Sequence, residues 1–137
     1  MSKTTLSPYL ILNGRAREAA AFYAKALAGT VTRINTFGEG NQGCPEALKE
    51  RIMHAEVAFN GVVLMMADGL VDDEKPHNMV NVALDIEDVA ELRRVYDALA
   101  VGGQPVEKLF KAPWGGMFGM VRDPYGIDWM MTSSNQD

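Results

Sequence analysis

Residues Phe118 to Met131 read FGMVRDPYGIDWMM, and the fold follows from how that stretch is cut. Asp123-Pro124-Tyr125-Gly126 is a turn. Proline presets the backbone of a turn's second residue, aspartate bonds its own backbone, and glycine takes conformations that side chains resist. The flanking segments are short, apolar and bounded by turn residues, so they read as the two strands of a hairpin. An earlier stretch, HAEVAFNGVVLMMAD from His54 to Asp68, reads the same way. It turns at Asn60-Gly61, the strongest short hairpin signal. The turn glycines Gly61 and Gly126 lie 65 positions apart.

The order repeats outward from each hairpin. YLILNG, from Tyr9, reads as a strand and RAREAAAFYAKALAG, from Arg15, as a helix. Ala19, Phe22, Tyr23, Ala26 and Leu27 recur at helical spacing, with Asn13 placed to cap the start and Gly29 to close the end. TVTRINTF, from Thr30, alternates and is rich in β-branched residues, as strands are. In the second half NMVNVALDI is the strand and EDVAELRRVYDALAVGG the helix, with Val89, Leu92, Val95, Tyr96 and Leu99 on one side. Asp88 and Glu91 have capping-box spacing, and Gly102-Gly103 stop the helix. QPVEKLFKA is the following strand. The chain is therefore βαβββ twice, an α+β fold in one domain, with module one spanning about 5–69 and module two about 77–134. Phe22 and Val95, equivalent helix positions, are 73 apart, because module one carries an extra polar loop near Gly38 to Arg51.

Bulk properties exclude several partners. The chain has 137 residues and a net charge of −5, enough length for one real core. The 13 basic residues are scattered, with Arg93-Arg94 the one adjacent pair, which argues against nucleic acid. Apolar runs such as Val62 to Ala67 are too short to cross a membrane, and no signal peptide opens the chain, so a cytoplasmic location is expected. Cys44 stands alone, which rules out an internal disulfide.

SPYLILNGRAREAAAFYAKAL, the FGE at Phe37–Glu39, IMHAEV, LMMAD and FGMVRDPYGIDWMM occur in one order across nearly the whole chain. That pattern resembles the PhnB-like branch of the vicinal oxygen chelate superfamily, which includes glyoxalase I, extradiol dioxygenases and bleomycin-resistance proteins. The resemblance implies two modules with strongly curved mixed sheets enclosing a cavity, and a homodimer. Its metal-dependent members carry one ligand at the start of each module's first strand and one four residues after each hairpin glycine. Carried over, these positions are Pro8, Asn81, Met65 and Met130. Proline has no side-chain donor, asparagine one neutral oxygen, and thioethers suit Cu(I) rather than Zn, Ni or Fe(II). No metal is expected there, and no cofactor. The branch is often labelled a demethylubiquinone methyltransferase. GEGNQG, Gly38 to Gly43, matches G-x-G-x-x-G, but a nucleotide loop needs a long following helix, and PEALKE supplies under two turns. A flexible loop is the plainer reading.

Alternation assigns faces to the strands. With Met65 and Met130 toward the cavity, Val63, Ala67, Asp128 and Thr132 follow, while Leu64, Met66, Trp129 and Met131 meet the helices. Ala55 and Val57 also meet the helices, which puts His54 and Glu56 on the cavity face, with Asn81, Ala83 and Asp85 so placed in module two. His54 and Glu56 are the candidate acid and base, or they hold a polar ligand; a structural histidine, a solvated Glu56 and an Asp128 that caps its own turn are the plainer alternatives. Trp114 and Phe118, near Phe110 and Tyr125, offer a stacking wall for a planar or cationic ligand, or packing at a dimer interface. His77 sits in a polar linker. The expected ligand-binding set is thus His54, Glu56, Met65, Asn81, Trp114, Phe118, Asp128 and Met130. Three functions compete. The first is metal-independent binding of an unknown small molecule. The second is a glyoxalase-like or dioxygenase-like enzyme using His54 and Glu56 or a divalent metal held elsewhere. The third is the methyltransferase of the label.

Overall fold

The computed structural model describes residues 6–40, 43–69, 80–113 and 115–133. The chain divides into two compact units, Met1–Glu74 and Lys75–Asp137. The first contains β1 (Tyr9–Ile11), α1 (Ala16–Ala26), β2 (Thr30–Thr36), the four-residue α2 (Phe37–Gly40), β3 (Ile52–Phe59) and β4 (Val62–Ala67). The second contains β5 (Val82–Asp85), α3 (Val89–Ala100), β6 (Gln104–Lys111), β7 (Met117–Arg122) and β8 (Asp128–Ser133). Each unit forms a four-stranded mixed sheet, ordered β1-β4-β3-β2 in one and β5-β8-β7-β6 in the other. The first strand of each runs parallel to the last, and the remaining pairs are antiparallel. The repeated βαβββ order and the α+β class stand as the sequence predicts.

One face of each sheet carries the helix. In the first unit Leu10, Leu12, Ala55, Val57, Leu64 and Met66 are buried, together with Ala16, Ala19, Ala20, Tyr23 and Ala26 of α1. Four alanines on the inner side of α1 leave little side chain between helix and sheet, so the backbones approach closely. In the second unit Leu92, Val95, Tyr96 and Leu99 of α3 are buried, as are Val121, Trp129 and Met131 of the sheet. The assignment of Leu64, Met66, Trp129 and Met131 to the helix side is therefore correct.

The helix ends differ from the sequence reading. Asn13 does not cap α1: it takes a left-handed backbone (φ 51°) and turns the chain with Gly14. Arg15 occupies the N-cap and makes no side-chain cap bond; the first helical amide, on Ala16, donates instead to Asp68 Oδ1 at 2.8 Å. At the other end the left-handed residue is Ala28 (φ 55°), not Gly29. Gly29 N–H donates back to Ala24 O at 2.8 Å, which closes a Schellman motif. Gly29 is needed for a different reason: a Cβ there would lie 2.4 Å from Ala58 O. Gly103 occupies the matching place in the second unit, where a Cβ would lie 2.1 Å from Arg122 O. Alanine in a left-handed position is strained. Ala28→Gly is expected to stabilise the protein by about 0.5–1 kcal/mol, read as a higher urea midpoint, and an unchanged or lower midpoint would contradict the assignment. At α3, Asp88 accepts from Ala90 N–H at 3.0 Å, but Glu91 turns to Arg94 rather than back to the cap, so only half of the expected capping box forms.

Candidate functional site

The outer face of the first sheet is the one α1 does not cover. Register places Tyr9 beside Met65, Met65 opposite Glu56, and Glu56 opposite Arg33, a single row across all four strands. His54 lies in the next row, opposite Asn35. Along this face a continuous hydrogen-bonded chain forms. The Tyr9 hydroxyl is 2.8 Å from His54 Nδ1, and His54 Nε2 is 2.8 Å from Glu56 Oε2.

The direction of that chain follows from where the imidazole carries its proton. A carboxylate only accepts, so Nε2 carries the imidazole proton. With a single proton on the ring, Nδ1 is the acceptor and the Tyr9 hydroxyl donates to it. Burial, and next the Glu56 carboxylate, push the Tyr9 phenol above its ordinary range. Tyr9 therefore keeps its proton at neutral pH. The two rings stack loosely, centroids 5.6 Å apart and tilted 36°. The His54 and Glu56 side chains are only 22% and 25% exposed. Exposed apolar side chains surround them on the same face: Tyr9 itself, Ile11 and Val63.

His54, Glu56 and Met65 thus lie together, as their alternation predicts. Tyr9 is the residue that sequence reading missed. The signal was present in YLIL: Leu10 and Leu12 are buried, so Tyr9 and Ile11 must point the other way.

The remaining predicted residues belong to the second unit. Met130 lies beside Ala83 on one side and Met120 on the other. Phe118 is half-buried and meets Phe110 edge-to-face, centroids 5.9 Å apart. Asn81 is exposed, just ahead of β5. Asp128 does not cap its turn. It holds Arg122 through two contacts, 2.7 and 3.1 Å, and that bond, with the charge of Asp128, pushes the Arg122 guanidinium up. The cap is Asp123, whose carboxylate accepts from Tyr125 N–H, Ile127 N–H and Trp129 Nε1–H. Trp114 and His77 lie outside the described residues.

The four positions carried over from metal-dependent relatives do not fit a divalent metal. In register the first-strand residue beside Met65 is Tyr9, which follows Pro8 in the chain. The residue beside Met130 is Ala83, while Asn81 lies outside the strand. Two thioethers, a proline and an asparagine are a poor set for Zn, Ni or Fe(II), and so are the in-register neighbours, an alanine and a phenol already bonded to His54. Among the described residues no three His, Cys, Asp or Glu side chains gather as a metal site.

The Gly38–Gly43 loop also lacks the frame for a nucleotide. β2 precedes it, but α2 has four residues and the next helical turn, Glu46–Leu48, has three. A pocket of about 420 Å³ lies there, lined by Arg17, Thr36, Gly38, Glu39, Lys49 and Glu50. Its two cations and two carboxylates compensate each other and single out no ligand charge.

Residues 4–132 match the family model described as 3-demethylubiquinone-9 3-methyltransferase. Protein YjdN of Escherichia coli K12 is 29% identical over 141 residues, covering 96% of each chain. The crystal structure of protein PA1353 from Pseudomonas aeruginosa is similar at 32% identity and a TM-score of 0.81, covering 93% of this chain and 96% of that one. A PhnB protein from Bacillus cereus, described as a putative 3-demethylubiquinone-9 3-methyltransferase, shares the fold at 24% identity and a TM-score of 0.76, over 94% and 98% of the two chains. The fosfomycin resistance protein FosX of Listeria monocytogenes shares the fold alone, with 10% identity, a TM-score of 0.69 and coverage of 98% and 96%.

Proposed function

Since the chain belongs to the 3-demethylubiquinone-9 3-methyltransferase family, the PhnB-like branch of the vicinal oxygen chelate superfamily, we propose that it binds a small molecule on the outer face of its first sheet, without a metal. The observation that carries this reading is the Tyr9–His54–Glu56 chain, three polar groups set among exposed apolar side chains. Small-molecule sites have that composition: apolar walls with a few placed polar groups. Met65, between Tyr9 and Glu56 in the row, supplies an adaptable floor. In this reading the protein acts as a cytoplasmic homodimer, as the resemblance implies. Asn81, Trp114, Phe118, Asp128 and Met130 belong to the second unit and are proposed as ligand contacts there.

The methyl transfer named in the family description finds no support in the Gly38–Gly43 loop. An acid–base enzyme is the second reading, favoured by the same chain, because His54 between a tyrosine and a carboxylate could move a proton.

A fragment screen on chelator-treated protein tests the proposal. Hits are expected to raise the melting temperature without added metal and to weaken at least about tenfold on His54→Ala. Hits that appear only with added Zn, Ni or Fe would overturn it. Turnover of a hit by the wild type, lost in His54→Ala, would favour the enzyme.

A further inference from the structure

We propose that the site formed by Tyr9, His54 and Glu56 selects ligands bearing a cationic N–H donor, such as an amidinium or ammonium group, on an apolar body. The inference rests on the binding reading above and adds the class of ligand.

The argument is one of donors and acceptors. With a single proton on the imidazole, Glu56 Oε2 accepts a hydrogen bond from His54 Nε2–H, and the Tyr9 hydroxyl donates one to Nδ1. Every donor in the chain is thereby used internally. What remains for a ligand is acceptor capacity: a lone pair on the Tyr9 oxygen and the second carboxylate oxygen of Glu56, which has no hydrogen-bond partner among the described residues. That oxygen is not sealed off, because no buried side-chain polar atom lacks a partner. Two acceptors, one of them on a carboxylate, call for a donor with positive charge, and charge-assisted bonds are the stronger kind. An anion would meet lone pairs and a negative charge. The body of the ligand would lie against Tyr9, Ile11 and Val63, with the Tyr9 ring available to a cation.

One group argues the other way. Arg33 stands opposite Glu56 on β2 and is exposed. It forms no ion pair with Glu56, so it does not neutralise the carboxylate. It is also the one residue of the row that could hold an anion.

Three probes of like size separate these cases: benzamidinium, benzyl alcohol and benzoate, titrated into the full-length protein at neutral pH. Binding is followed through the backbone amide resonances of Tyr9, His54 and Glu56. Benzamidinium is expected to bind at least about tenfold more tightly than either other probe. Glu56→Gln is expected to bring the three within about threefold of one another, with amide dispersion confirming the fold. Tyr9→Phe, a smaller change, should weaken benzamidinium about threefold without changing the order. Benzyl alcohol or benzoate binding as tightly as benzamidinium would overturn the ligand class and leave the site standing, and benzoate binding lost on Arg33→Ala would assign the site to anions. A preference that survives Glu56→Gln would overturn the class as well. If no probe moves these resonances at millimolar concentration, both the class and the binding site are wrong.

Discussion

Asp123→Ala is expected to lower stability by about 4 kcal/mol, the largest loss from any single side chain outside the apolar core. The carboxylate is buried, 2% exposed. Its Oδ1 accepts from Tyr125 N–H at 2.9 Å and Ile127 N–H at 3.1 Å, and Oδ2 accepts from the Trp129 indole at 2.9 Å. Hydrogen bonds to a charged group are worth about 1.5–3 kcal/mol each, and truncation strands the donors as well. Asp123→Asn separates the two ends of the network. An amide oxygen can still serve the turn, but its NH2 would face the indole N–H, donor against donor. About 2 kcal/mol should then be lost. Urea midpoints of the three proteins measure the series, and a loss below about 1 kcal/mol for alanine would show that the turn holds without its aspartate.

The same aspartate shows how far the sequence could be read. Pro124, Tyr125 and Gly126 announce the turn, and Asn60-Gly61 announces the other one, with φ of 47° and 77° as a two-residue hairpin requires. Period-two alternation sorted His54 from Ala55 and Trp129 from Met130, because a sheet face is a local property. Long-range pairing was not legible. That Asp123, six residues before Trp129, reaches its indole while Asp128 takes Arg122 is decided by strand register across β7 and β8. Tyr9 was passed over for a related reason. Its role depends on lying beside β4 in parallel register, two strands from Glu56, and no spacing within YLILNG encodes that neighbour. Ala28 is a third case: a residue that usually avoids the left-handed region occupies it because Gly29, next in line, is required against Ala58 O.

Asp68→Ala should cost about 3 kcal/mol, and the reason lies in how the two units start their helices differently. Asp68 and Ser133 hold equivalent positions, at the end of the last strand of each hairpin. Both tie the strand end to the start of a helix, Asp68 by accepting from Ala16 N–H and Ser133 by donating to Glu87 O at 2.8 Å. In the second unit α3 has its own cap, Asp88, so the strand residue has little left to satisfy. In the first unit the N-cap is Arg15, without a cap bond, and the carboxylate comes from the residue just after β4. Asp68 does more than cap: its Oδ2 also accepts from Ile52 N–H at 2.8 Å, where β3 begins. One buried side chain thus joins a helix start to a strand start, and its removal leaves two buried amides unpaired. Ser133→Ala removes the neutral bond to Glu87 O and should cost about 1 kcal/mol. Paired chemical denaturation of the two variants decides the matter. Equal losses would mean that Asp68 is merely the first unit's counterpart of Ser133, and that α1 needs no cap supplied from the sheet.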